Sequence, residues 1–170
     1  MKIYFLRHAI AVQRGTPGYD DDSLRPLTDV GRKKMQLVCE GLHYLEPNWD
    51  LIVTSPYLRA KETTQIVSDY FMLNHLVRED GVLTPQKTTD ELTQFLKTIL
   101  PLRSILLVGH EPAMSRHISN YVFGSEYGHI QMKKAGMACV EFAGDVDVGM
   151  GTLTWLMSPG QMQRLGRKRK

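Results

Sequence analysis

Three short apolar runs, at residues 3–6, 51–54 and 105–108, constrain the fold of this chain more than any other feature. Each is four residues long, rich in branched side chains and without polar alternation, the pattern of strands covered on both faces. Helical periodicity fills the intervals. Thr28 can cap a helix whose inward positions are Val30, the Lys34 stem, Leu37, Val38, Gly41, Leu42 and Leu45. A second helix over about 58–71 places Ile66, Val67, Tyr70 and Phe71 on one face. A third opens at the capping box Thr88-Thr89-Asp90-Glu91 and buries Leu92, Phe95, Leu96, Ile99 and Leu100. The fourth follows Pro112 and carries Met114, Ile118, Tyr121 and Val122. Residues 137–142 and 152–157 read as two more strands, joined through the glycine-bearing acidic stretch 144–151, a hairpin or adjacent pair at one side of the sheet. Strands alternating with helices predict an α/β fold, a three-layer sandwich with a mostly parallel central sheet flanked by helices. One domain is expected over 1–160, followed by a basic C-terminal tail at 161–170.

Composition narrows the class without naming an activity. At 170 residues, 42% hydrophobic and 23% charged, the chain suits one soluble core and excludes collagen-like, disordered and disulfide-scaffold classes. Cys39 and Cys139 stand far apart, outside any C-x-x-C pair, and read as reduced thiols of a cytoplasmic protein. The net charge of +3 is local: residues 164–170 hold five cations and no acid, so the rest is slightly acidic. That end reads as solvated. Neither zinc-finger spacing nor an aromatic RNP motif is present, so no nucleic-acid partner is expected. No run approaches the roughly 20 apolar residues of a membrane span. Arg7 and His8 leave no room for the apolar core of a signal peptide. No membrane partner is expected, and a cytoplasmic monomer is.

In parallel sheets ligands bind beyond the carboxyl ends of strands. The first run leads into Arg7-His8-Ala9, the second into Ser55-Pro56-Tyr57-Leu58-Arg59, the third into Gly109-His110-Glu111-Pro112. Two histidines and two arginines thus gather at one edge, where they would repel one another without an anion among them. A guanidinium fork matches phosphate oxygens two at a time. A neutral imidazole adds a nucleophile near pH 7, whose attacking nitrogen is selected by a hydrogen bond to the other. Phosphoryl transfer asks for little beyond in-line positioning and charge stabilisation, with no metal or other cofactor.

The order Arg7-His8, Leu27-Thr28 with Gly31, Ser55-Pro56-x-x-Arg59-Ala60-x-Glu62-Thr63 and Gly109-His110 resembles the histidine phosphatase superfamily. Leu6-Arg7-His8-Ala9, Asp22-Ser23-x-Arg25-Pro26-Leu27-Thr28 and Val108-Gly109-His110-Glu111-Pro112 look more closely like its SixA-type phosphohistidine phosphatases. The resemblance implies a phosphoglycerate mutase-like fold. It makes His8 the phospho-accepting nucleophile and Arg7, Arg59 and His110 the phosphate clamp, with Arg25 and Gly109 as further substrate contacts. Most of the superfamily has glycine where this chain has Ala9, a departure the SixA-like branch shares. The substrates implied are histidine-phosphorylated phosphotransfer proteins or domains of two-component signalling.

The carboxylic acid that protonates an alcohol leaving group has no recognisable motif here; Glu79, Asp80 and Glu111 are the candidates. An alkoxide needs such an acid, worth about 10²–10⁴-fold in rate, whereas phosphohistidine leaves through a labile P–N bond. No insertion remains to form a cap, and an uncapped pocket suits a side chain presented by another protein. His43, His75, His117 and His129 read as surface or structural, the nine methionines as core filling, and Asp20, Asp21 and Asp22 as a solvated loop. Alternatives are a small-molecule phosphomonoesterase of the same superfamily, a mutase, a non-catalytic phosphate-binding adaptor, and a metal-dependent hydrolase. The last is opposed by the arginines and by the lack of an H-E-x-x-H motif.

Overall fold

Side chains alternate along a strand, so a strand packed on both sides must be apolar on both sides. Strand β1 (Lys2–Arg7) obeys this: Ile3 and Phe5 enter one core, Leu6 the other. The computed structural model describes residues 1–45 and 47–167. Around β1 are β2 (Leu51–Thr54), β3 (Val77–Glu79), β4 (Ser104–Gly109), β5 (Met137–Glu141) and β6 (Thr152–Met157), in one sheet of order β3-β2-β4-β1-β5-β6. The first four strands of that order run parallel, and β5 and β6 are antiparallel at the far side.

Helices α1 (Asp29–Leu42), α2 (Leu58–Phe71) and α5 (Pro159–Arg167) cover one face, where Met35, Val38, Ala60, Val67 and Met162 meet Leu6, Ile52 and Leu106. Helices α3 (Thr89–Thr98) and α4 (Ala113–Phe123) cover the other, where Leu92, Leu96, Met114 and Ile118 meet Phe5, Val53 and Leu107. The three-layer sandwich expected from the sequence is the fold observed. Thr28 accepts a hydrogen bond from the Gly31 N–H at the start of α1, and Thr88 and Glu91 form the full capping box of α3.

Several local readings change. Val30, Leu45 and Leu100, expected inside, are exposed, and so is Tyr70 of the second helix's apolar face. Strand β3 follows α2 and is absent from the sequence reading; three exposed residues on a sheet edge carry no apolar pattern to reveal it. Residues 161–167, expected in a solvated tail, continue α5, and residues 168–170 lie outside the described residues. The cause is close helix packing that a charge count cannot detect. A Cβ on Gly41 would stand 1.8 Å from the Met162 carbonyl oxygen, and one on Gly166 would stand 3.1 Å from the Gly41 nitrogen. The missing side chains let α5 lie directly on α1 and bury Met162. Among the described residues no helix is long and apolar enough to cross a membrane.

Candidate active site

The parallel register places the ends of β1 and β4 side by side, Arg7 opposite Gly109. The first bonds beyond the strands continue that register: the His8 N–H donates to the Gly109 carbonyl at 3.0 Å, and the Ser55 N–H to the Val108 carbonyl at 3.0 Å. His8, Ser55 and His110 are thereby held on rigid backbone at one edge of the sheet. The rings of His8 and His110 lie 5.1 Å apart, and the His110 Nε2 and Ser55 Oγ are hydrogen-bonded at 2.8 Å. Arg59, from the first turn of α2, reaches the same place and donates from Nε to His8 Nε2 at 3.3 Å. Thr63, one turn further along α2, accepts the Ala9 N–H at 3.0 Å and donates to the Arg59 carbonyl at 2.7 Å. One threonine thus ties the nucleophile loop to the helix that carries the arginine.

The tautomer of His8 follows from these bonds. Its Nδ1 lies 2.7 Å from the Ala9 carbonyl oxygen, which can only accept, so Nδ1 carries the proton. Nε2 is left with its lone pair towards Arg59. Burial, then His110, Arg59 and Arg7, hold the His8 imidazole well below its ordinary protonation range, against the Ala9 bond. His110 is pushed down to about 3, first by burial and then by Arg59, with Arg25 and Arg7 adding to it. Both rings are therefore neutral at pH 7. His110 Nδ1 and Arg7 Nε are buried with no hydrogen-bond partner among the described residues. Buried polar groups left without a partner cost about 1–3 kcal/mol each.

The expected residues Arg7, His8, Arg25, Arg59 and His110 come together. Gly109 stands apart in role: its carbonyl holds the His8 N–H, and its Cβ direction faces the buried Met114 side chain. The acidic run contributes a residue that heads the SixA-like block but is expected from the sequence only as part of a solvated loop. Asp22 is no solvated loop residue. Its carboxylate accepts from Arg59 at 2.9 Å, Arg25 at 2.8 Å and Arg14 at 3.0 Å, and its carbonyl accepts from Arg59 as well. Burial works against ionisation, but hydrogen bonds from Arg14, Arg25 and Arg59 carry Asp22 well below the usual carboxylate range. Asp21 caps the short helical turn Asp22–Leu24. Glu62 pins the loop from the other side by accepting the Leu27 N–H at 2.6 Å and pairing with Arg32. The hint in the sequence was the place of Asp22 at the head of that block, three residues before Arg25. Among the described residues, no group of three or more histidine, cysteine or acidic side chains could hold a metal ion.

Of the acid candidates, Glu79 is exposed and paired with Lys61, and Asp80 caps a turn and pairs with Arg78. Glu111 is raised by burial, against hydrogen bonding from Ser115. Among the remaining histidines, His43, His75 and His129 are exposed, whereas His117 is buried against Thr89 and pushed down to about 3 by burial and Arg116.

The buried neutral histidines make stability depend on pH. The unfolded chain protonates them below about pH 6.5, whereas the folded chain keeps His110 and His117 neutral until about 3. Their contribution is complete above the unfolded value and is lost as pH falls. Between pH 6.5 and 5 each costs about 2 kcal/mol of stability. Urea unfolding at pH 7.5 and pH 5 should show a markedly lower midpoint at pH 5; equal midpoints would contradict the buried neutral rings.

Comparison with known proteins agrees with this geometry. The family model "Histidine phosphatase superfamily (branch 1)" matches residues 3–82. An uncharacterised protein of Picosynechococcus sp. is 33% identical over 139 residues, 81% of this chain and 82% of that protein. Phosphohistidine phosphatase SixA of Escherichia coli is 24% identical over 161 residues, 94% of each chain. Among solved structures, the protein histidine phosphatase SixA complexed with tungstate superposes with a TM-score of 0.82 at 25% identity, covering 95% of this chain and 99% of that one.

Proposed function

Since this chain belongs to the histidine phosphatase superfamily, and within it resembles SixA along nearly its whole length, we propose that it is a metal-independent phosphatase that removes phosphate from histidine-phosphorylated phosphotransfer proteins. The observation that carries this reading is His8: a buried neutral imidazole, its Nδ1–H bound to the Ala9 carbonyl and its Nε2 lone pair turned towards Arg59. His8 Nε2 attacks phosphorus in line as the P–N bond of the substrate breaks. The leaving imidazole departs neutral because its second ring nitrogen takes up a proton. The phosphorylated His8 ring gains positive charge, which the Ala9 carbonyl stabilises through Nδ1–H. Water then attacks phosphorus, phosphate leaves, and His8 returns to its neutral form.

Arg7, Arg59 and His110 hold the transferring group, with Arg25 at the rim. Tungstate, bound by the similar SixA, is a tetrahedral oxyanion of the kind such a cluster suits. The surface ion pairs of Glu79 and Asp80 favour a substrate that needs no strong acid. The buried free thiols Cys39 and Cys139 suit a reducing compartment, so the partner is sought in the cytoplasm.

The test is phosphate release, with chelator present, from a histidine-phosphorylated phosphotransfer domain and from p-nitrophenyl phosphate. Faster release from the protein is expected. A clear preference for the ester would move the substrate to small molecules and make Glu111 the acid to test. Loss of activity in chelator would remove the metal-free mechanism.

A further inference from the structure

Beside the phosphate clamp lies a second cationic feature. The Ala135 N–H donates to the carbonyls of both Arg7 and His8, at 3.1 and 3.2 Å, and the Arg7 N–H returns a bond to the Gly136 carbonyl. Ala135 is buried at φ +59°, a conformation disfavoured for a residue with a Cβ. The turn is thus fastened to the backbone of the nucleophile itself, and the two residues before Ala135 are lysines. Lys133 and Lys134 are exposed and, with Lys34 of α1, enter no ion pair among the described residues. Together with Arg7 and the first turn of α5 they line a cavity of about 470 Å³ that has no acidic side chain in its wall.

The cavity is continuous with the active site electrostatically. Burial and then Arg7, Arg25 and Arg59 hold the Lys134 ammonium below its ordinary range, so it stands in the field of the same arginines. The floor is apolar, formed by Ala9, Ile10 and Ala135. A glutamate or aspartate side chain would lay its methylene stem on that floor and its carboxylate among the lysines.

We propose that this cavity is a docking subsite for carboxylate side chains that flank the phosphohistidine on the partner protein. The proposal rests on the phosphoprotein reading above. It assigns Lys34, Lys133 and Lys134 a role in choosing the substrate rather than in the chemistry. Complementary charge of this kind acts mainly on encounter and weakens with salt.

The experiment compares wild type with the double variant Lys34→Glu, Lys133→Glu on a histidine-phosphorylated phosphotransfer domain and on p-nitrophenyl phosphate, across a sodium chloride series. The ratio of kcat/KM for the protein to that for the ester should fall roughly tenfold or more, through KM. The decline of wild-type protein turnover with salt should flatten in the variant, and Lys34→Arg, Lys133→Arg should retain the wild-type ratio. An unchanged ratio, or an equal loss on both substrates, would overturn the subsite. Wild type that turns over the ester but not the phosphoprotein would overturn the phosphoprotein reading and the subsite with it. Wild type active on the phosphoprotein, with the Glu variant indistinguishable from it, would overturn the subsite alone.

Discussion

The His8→Ala enzyme is expected to release phosphate at least roughly 10⁴-fold more slowly than wild type, the scale of loss when a covalent nucleophile is removed. The backbone bond from residue 8 to the Gly109 carbonyl does not need the side chain, and the Thr63 bridge to Ala9 is equally independent of it. The clamp of Arg7, Arg59 and His110 therefore stays assembled while the attacking nitrogen is gone. Tungstate should still bind to the variant, and this separates loss of chemistry from loss of fold. Rapid quenching of the wild type during turnover should trap phosphate on the enzyme, and mass spectrometry should place it on His8. An alanine variant that keeps turning over would remove the histidine mechanism. Intact phosphohistidine binding with no turnover in the wild type as well would make the protein an adaptor.

Arg59 carries the second large effect. Its guanidinium meets His8 through Nε and Asp22 through its two amino groups, and it is almost wholly buried. In that setting charge stabilisation is worth far more than at the surface, and removing one such donor costs about 10²–10³ in kcat. Arg59→Ala should show that loss. Arg59→Lys should recover only part of it, because an ammonium keeps the charge but not the fork that spans two oxygens. Steady-state kinetics on the phosphoprotein check both. Near-wild-type rates for Arg59→Lys would reduce the role of Arg59 to charge alone, and near-wild-type rates for Arg59→Ala would take it out of the clamp.

The residues of the clamp were legible because they follow strands. A four-residue apolar run reveals where its own carboxyl end lies, and Arg7, His8, Arg59 and His110 stand just beyond such ends. Asp22 was not legible in this way. It belongs to a loop with no period, and its meaning arises only when the loop folds over the first turn of α2 to meet Arg59. Ser55 stood in a recognised block without a role until His110 came within 2.8 Å of it from another strand. The lysines of the docking cavity likewise come from α1 and from the turn before β5, far apart along the chain.

Chemistry that is local in the chain was therefore determined by the sequence alone: buried parallel strands, capped helices, and the histidines and arginines at strand ends. These follow from side-chain period and burial, which act over a few residues. The packing of α5 on α1 through Gly41, the grip of Asp22 on three arginines, and the fastening of residues 133–136 to His8 were decided only by tertiary structure. Each depends on backbone or charge brought together from distant segments, and no local pattern records the distance between them.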